Sequence, residues 1–203
     1  MSQNLRGNNY NKSLIVTSLF TALTVVAAFI KIPLPHVPVT LQTFVVLLSG
    51  SILGAFYGTL SQIIYLAIGL MGIPVFAYGG GFSYIFQPTF GYLLGYPFCA
   101  LGVGLILKVI LPDIQSKRYK KNTIFFRVLF SNLVGVLIIF IFGLGYIYLN
   151  LKYGLYLNLE EHSSFSTINW NNIVMTTFLI FVPIDLIKAL LAAFITVKIK
   201  RLI

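Results

Sequence analysis

This sequence predicts an all-α integral membrane bundle of six transmembrane helices with both termini cytosolic, and three observations carry that expectation. Of 203 residues, 58% are hydrophobic and only 9% are charged, against about 25% charged in an ordinary soluble domain. The apolar residues fall in continuous runs long enough to cross a bilayer, about 17 to 25 residues each, without the period-2 alternation of a membrane barrel. The basic residues are also unevenly placed. With the amino terminus in the cytosol, Arg6, Lys12, Lys108, Lys117, Arg118, Lys120, Lys121, Arg127, Lys198, Lys200 and Arg201 lie inside, and only Lys31 and Lys152 lie outside. That asymmetry is expected of an even number of spans.

A single membrane domain over 1–203 accounts for the chain, with spans at about 13–32, 39–57, 58–75, 87–110, 124–149 and 171–197. The first run is longer than the 7 to 15 apolar residues of a secretory signal core, so it reads as a helix that stays. Its small residues Thr17, Ser18, Thr21, Ala22, Thr24 and Ala28 are read as one face, with Ser18-xxx-Ala22 and Thr24-xxx-Ala28 spacings that let a neighbouring helix approach closely. The second and third runs share a short polar hinge. In the fourth, Gly91-xxx-Gly95 and Gly102 are read as packing positions inside the bundle, and Cys99 as a small packing residue. The fifth run ends among Tyr146, Tyr148, Tyr153, Tyr156 and, beyond the next connection, Trp170, a set that fits an interfacial aromatic belt.

Three segments break the apolar pattern on the expected outer side: 33–38, 72–81 and 150–170. Irregular backbone near membrane depth is tolerated only where protein buries it or a cavity solvates it, so these loops are expected to fold over something. The Gly79, Gly80 and Gly81 run permits positive φ and close approach of backbone to a ligand.

The net charge of +10 does not indicate nucleic-acid binding, because the positive residues lie in short inner connections and ends, where they set topology and meet anionic lipid head groups. No phosphate-binding loop of the Gly-x-x-x-x-Gly-Lys-Ser/Thr kind occurs, so any ATP drive must come from another subunit. Glu160, Glu161 and His162 are adjacent and diverge instead of chelating, and His36 reads as an exposed loop residue. No metal and no cofactor are expected, and neither histidine is near a membrane serine that it could activate.

What remains is Asp185 with Lys188. The chain holds only four acidic residues, and Asp185 alone stands inside an apolar run. A charge at the bilayer centre costs at least about 2.5 to 3.5 kcal/mol, so an ionisable pair there is a site by default. Spacing of i, i+3 places both side chains on one helix face. Counted from Trp170, Asp185 lies 15 residues into its helix, about 22 Å at 1.5 Å per residue. Pro183 just before it removes a backbone hydrogen bond and is expected to widen the space beside the pair.

The segments Ile32-Pro-Leu-Pro-His-Val-Pro-Val-Thr-Leu-Gln-Thr-Phe44, Leu53-Gly-Ala-Phe-Tyr-Gly58, Ile68-Gly-Leu-Met-Gly-Ile-Pro-Val-Phe76, Gln87-Pro-Thr-Phe-Gly-Tyr-Leu-Leu-Gly-Tyr96 and Pro183-Ile-Asp-Leu-Ile-Lys188 closely resemble the BioY family. These are the biotin-specific substrate-binding components of energy-coupling-factor transporters. The resemblance implies a multi-pass protein of the cell membrane that binds biotin from outside and passes it inward without acting on it as an enzyme. It also implies a membrane scaffold subunit and cytosolic ATPases as partners. The family's Asp-x-x-Lys falls on Asp185 and Lys188. Its Ala-x-x-x-Ala docking pattern on the first helix is approximated by Ser18, Ala22, Thr24 and Ala28. Gln87, Phe90 and Ile184 stand where the family has glycine, which predicts a reshaped pocket.

Biotin chemistry then assigns the remaining candidates. Asp185 accepts a ureido N–H, and Lys188 donates to the ureido oxygen or balances charge. Phe76, Tyr92 and Tyr96 line the ring's apolar side, and the acidic tail meets Gly79 to Gly81, Gln42, Thr43 or Thr89. A stand-alone or proton-coupled vitamin carrier, with Asp185 as proton relay, is the alternative that the residues leave open.

Overall fold

The computed structural model describes residues 2–33, 38–87, 89–111, 120–153, 175 and 177–202. Helix α1 (Ser2–Phe29) leads into a two-stranded antiparallel hairpin, β1 (Lys31–Ile32) and β2 (Val39–Thr40), with Lys31 opposite Thr40. Helix α2 (Gln42–Leu70) follows, then a 3₁₀ turn (Phe82–Phe86), α3 (Phe90–Ile110), α4 (Lys121–Tyr153), a π turn (Thr177–Phe181) and α5 (Val182–Leu202). Five of these helices are long and apolar enough to cross a membrane. Their outward residues, among them Leu23, Leu105, Phe130, Ile141 and Leu191, are apolar and exposed, as a lipid-facing surface requires.

The second and third expected runs form one continuous element, α2, which doubles back on itself. Gly54 stands at φ 81°, ψ −177° inside it, a region open essentially only to glycine. Gln42 Nε2 donates to the Tyr65 hydroxyl at 2.6 Å, whereas an unbroken helix would hold those residues about 35 Å apart. Gly58 lies so close to Ser49 that a Cβ on it would stand 2.8 Å from the Ser49 carbonyl oxygen. The limbs before and after Gly54 are therefore antiparallel. The reversal is at Gly54, a few residues before the expected boundary between 57 and 58, and Ser61 and Gln62 beyond it are buried. Gln62 Nε2 donates to Thr24 at 3.3 Å, Ser49 at 3.4 Å and Ser61 at 3.0 Å.

Nothing stands within 4 Å of a Cβ built on Gly54, so a substitution there strains backbone without crowding. Gly54→Ala is expected to cost roughly 1–3 kcal/mol and to lower the melting temperature by about 3–10 °C. Thermal unfolding in detergent measures this, and an unchanged midpoint refutes the strained reversal.

The core is built on close approach. Leu47, Cys99, Val103, Val128, Ala189, Ala192 and Ala193 are fully buried where α2, α3, α4 and α5 meet. At their centre the Asn132 amide accepts from Ser51 at 2.8 Å and donates to the Ala189 carbonyl at 3.2 Å, joining three helices. Such satisfied polar groups avoid the penalty of an unpaired one in a dry interior. Gly91 and Gly95 pack against Tyr146, Phe142 and Ile139 of α4, as their spacing predicts.

The small residues of α1 do not share one face. At 3.6 residues per turn, positions six apart lie about 120° apart around the axis. Thr24 and Ala28 are wholly buried within this chain, while Ser18 and Ala22 are exposed among Ile15, Leu19 and Val26. Of the four expected docking residues, only Ser18 and Ala22 present a surface to a partner.

Candidate functional site

Helix α5 delivers the ion pair through its first turns. The π turn runs directly into α-helix at Val182, and Pro183, which has no N–H to donate, stands at that junction. Asp185 falls in the first α-helical turn after it. Lys188 follows one turn later and bonds Asp185 Oδ1 through Nζ at 2.6 Å. Lys188 Nζ also donates to the Thr40 carbonyl at 2.8 Å. That second bond fixes the level of the pair. It lies against the β hairpin at one end of the bundle, about 12 Å along from Thr177, where the described part of the helix begins. Both side chains are buried, Asp185 at 4% and Lys188 at 7% exposure.

The pair forms one wall of a cavity whose enclosed and adjoining space comes to about 510 Å³. Tyr92, Leu93 and Tyr96 of α3 and Ile139 and Phe140 of α4 make the apolar side. Pro38 and Thr40 close it from the hairpin, Gln42 and Thr43 from the start of α2, and Ala77, Tyr84, Thr89 and Phe181 from the loops and short turns around it. The expected residues Asp185, Lys188, Tyr92, Tyr96, Gln42, Thr43 and Thr89 thus converge from three separate stretches of chain. The balance of aromatic walls with few polar groups is that of a small-molecule site.

Gln42 is held on all sides. Its Oε1 accepts from Thr40 at 3.1 Å and from Tyr96 at 3.5 Å. Its Nε2 donates to Tyr65, whose hydroxyl donates onward to the Val75 carbonyl at 3.2 Å. A chain of hydrogen bonds therefore runs from the ion pair through Thr40 and Gln42 into the cap. Tyr65 has no exposed surface and was not a sequence candidate; a tyrosine inside an apolar run carries no mark of what its hydroxyl meets.

Phe76 and Gly79 to Gly81 are not lining residues. Phe76 is buried behind the wall, its ring 5.4 Å from Tyr65 and 4.6 Å from Tyr84. The Gly79 N–H bonds the Phe76 carbonyl at 3.2 Å and the Gly81 N–H bonds the Gly69 carbonyl at 2.7 Å, so both are engaged in folding the cap. Gly79 at φ 119° and Gly81 at φ 105° supply the turn. Lys31 Nζ bonds the Ala77 carbonyl and lies 4.5 Å over the Tyr78 ring, and the Tyr146 hydroxyl bonds the Ile85 carbonyl. Tyr146, expected in the belt, therefore straps the 3₁₀ turn, while Tyr148 and Tyr153 are exposed.

Tyr84, Ala77, Thr40 and Phe181 are further lining residues that the sequence did not single out. Burial raises the Tyr84 phenol above its usual range, so it stays a neutral donor or acceptor. Gln87 and Phe90 do not line the cavity: Phe90 packs on the Tyr146 ring at 5.9 Å. Ile184, the third position where the family has glycine, is not a lining residue either. His36, Tyr156, Glu160, Glu161, His162 and Trp170 lie outside the described residues.

Membrane-crossing helices with a capped, mostly aromatic cavity and one buried ion pair define a membrane-embedded binder of a small molecule. The BioY family model matches residues 1–203, and the chain belongs to the BioY family. It is 36% identical over 189 residues to a probable biotin transporter BioY of Lysinibacillus sphaericus, covering 93% of this chain and 87% of that one. It is 37% identical over 192 residues to the biotin transporter BioY of Thermotoga maritima, covering 94% and 97%. Among solved structures, the S-component for biotin from an ECF-type ABC transporter superposes with a TM-score of 0.76 at 25% identity, covering 96% of this chain and 93% of that one.

Proposed function

We propose that this protein is the biotin-binding component of an ATP-driven uptake transporter of the cell membrane, taking biotin from outside. The observation that carries the reading is the Asp185–Lys188 pair, kept intact at the wall of an otherwise aromatic cavity. A carboxylate accepts a ureido N–H and an ammonium donates to a ureido oxygen, in charge-assisted bonds roughly twice as strong as neutral ones. Tyr92, Tyr96 and Phe140 offer flat apolar surface to the fused rings. The relatives named as biotin transporters support the ligand. The reversal at Gly54 supports six passes, with the limbs of α2 counted separately and both termini cytosolic. Energy comes from a scaffold subunit and cytosolic ATPases, and the protein performs no chemistry on biotin.

Titration of the purified protein with labelled biotin, competed by desthiobiotin, thiamine and riboflavin, tests this. Saturable binding displaced by desthiobiotin but not by the other two vitamins is expected. Equal displacement by all of them, or no binding, defeats the assignment. Uptake that collapses with a protonophore while ATP persists would favour a proton-coupled carrier instead.

A further inference from the structure

The cavity wall is formally neutral. Among its lining residues Asp185 supplies one negative charge and Lys188 one positive, and they are bonded to each other. An entering carboxylic acid, ionised at neutral pH, brings a charge that this pair does not balance, and an unbalanced charge in a poorly solvated site is costly. Several of the donors expected for it are already engaged. One N–H of the Gln42 amide goes to Tyr65, the Thr89 hydroxyl lies 3.5 Å from that of Tyr84, and the N–H groups of Gly79 and Gly81 go to carbonyls of the cap.

Lys31 is the cation that the hairpin brings to the rim. It pairs across the sheet with Thr40, the residue whose carbonyl receives Lys188. Directly paired residues of an antiparallel sheet lie about 5 Å apart, so Lys31 stands on the strand beside the residue that holds Lys188. Lys31 is half-buried, and its Nζ bonds the carbonyl of Ala77, itself a lining residue. An ammonium has three donors, so a contact to one neutral carbonyl leaves capacity for an anion.

We propose that Lys31 is the specificity residue for the ligand's carboxylate. It forms an ion pair with the end of the acidic tail at the rim while the ring end lies against Asp185 and Lys188. The assignment rests on the biotin reading above. It explains how one site accepts a ligand that is apolar at its rings and anionic at its tail.

The test compares biotin with its neutral carboxamide, using full-length protein in nanodiscs and the variants Lys31→Met and Lys31→Arg. Wild-type protein is expected to bind biotin about tenfold tighter than the amide, one charge-assisted bond's worth. Lys31→Met abolishes that preference by weakening biotin alone, and Lys31→Arg restores most of it. Equal weakening of both ligands by Lys31→Met means a structural clasp only and overturns the assignment, as does no effect on either. Wild-type protein that binds both ligands alike overturns this assignment alone; wild-type protein that binds neither overturns the biotin reading and this assignment with it.

Discussion

Asp185→Asn and Lys188→Ala each raise the Kd for biotin by about a hundredfold or more, and each removes the ligand-induced rise in melting temperature. A charge-assisted bond is worth about 1.5–3 kcal/mol, and every 1.4 kcal/mol is about tenfold. Each change removes one such bond to ligand and also disturbs the remaining partner. The stability of the ligand-free protein separates the two effects. Both groups are buried and bonded at 2.6 Å, and leaving one buried charge without its partner costs about 3–5 kcal/mol. Each single variant therefore melts lower than wild type. The double variant Asp185→Asn with Lys188→Met, which buries no charge, recovers most of that loss while still failing to bind. Measured melting curves with and without biotin decide it. Retained binding in the double variant would show that the pair serves only to hold helices together.

Gly104→Ala lowers the melting temperature by about 10 °C without altering which ligand is bound. A Cβ on Gly104 would stand 2.2 Å from the Ala55 nitrogen, 2.5 Å from its Cα and 2.6 Å from the Gly54 carbonyl carbon. These are backbone atoms at the α2 reversal, and they cannot rotate aside as a side chain does. Overpacking costs typically 1–3 kcal/mol and more where backbone must move, and in a chain of this size about 1 kcal/mol shifts the midpoint by about 2–4 °C. Gly145→Ala is the control, since nothing stands within 4 Å of its Cβ. Its midpoint stays put or rises slightly, because alanine favours helix over glycine. Thermal unfolding of both variants, with biotin added to each, checks the expectation. Equal midpoints for the two would contradict the close α2–α3 approach.

The ion pair was legible in the sequence because charge is conspicuous against hydrocarbon: two ionisable residues one turn apart in an apolar run need a reason wherever they point. Five further expected residues, Tyr92, Tyr96, Gln42, Thr43 and Thr89, meet the pair at the cavity; they were reached through the family resemblance and the chemistry of its ligand. Gly54 was not legible. A glycine in an apolar run looks alike whether the helix continues or reverses, and only the cross-limb contacts of Gln42 with Tyr65 and of Gly58 with Ser49 distinguish the cases. Gly79 and Gly81 take the positive φ that their sequence permits, yet their N–H groups serve Phe76 and Gly69 instead of a ligand. Whether a donor is free depends on what the rest of the chain brings to it.

By itself the sequence determined the membrane embedding, the helical class, the pair that anchors the candidate site, and the family. Each of these is written residue by residue, in hydropathy, charge and ordered motifs. Only the tertiary structure decided where α2 turns, which flank of α1 is spent on packing, and which cavity donors are already engaged. Those outcomes depend on partners distant in the chain, such as the Thr40 carbonyl under Lys188 or the Ala77 carbonyl under Lys31. A backbone carbonyl has no letter of its own in a sequence, so its role emerges only when folding places it.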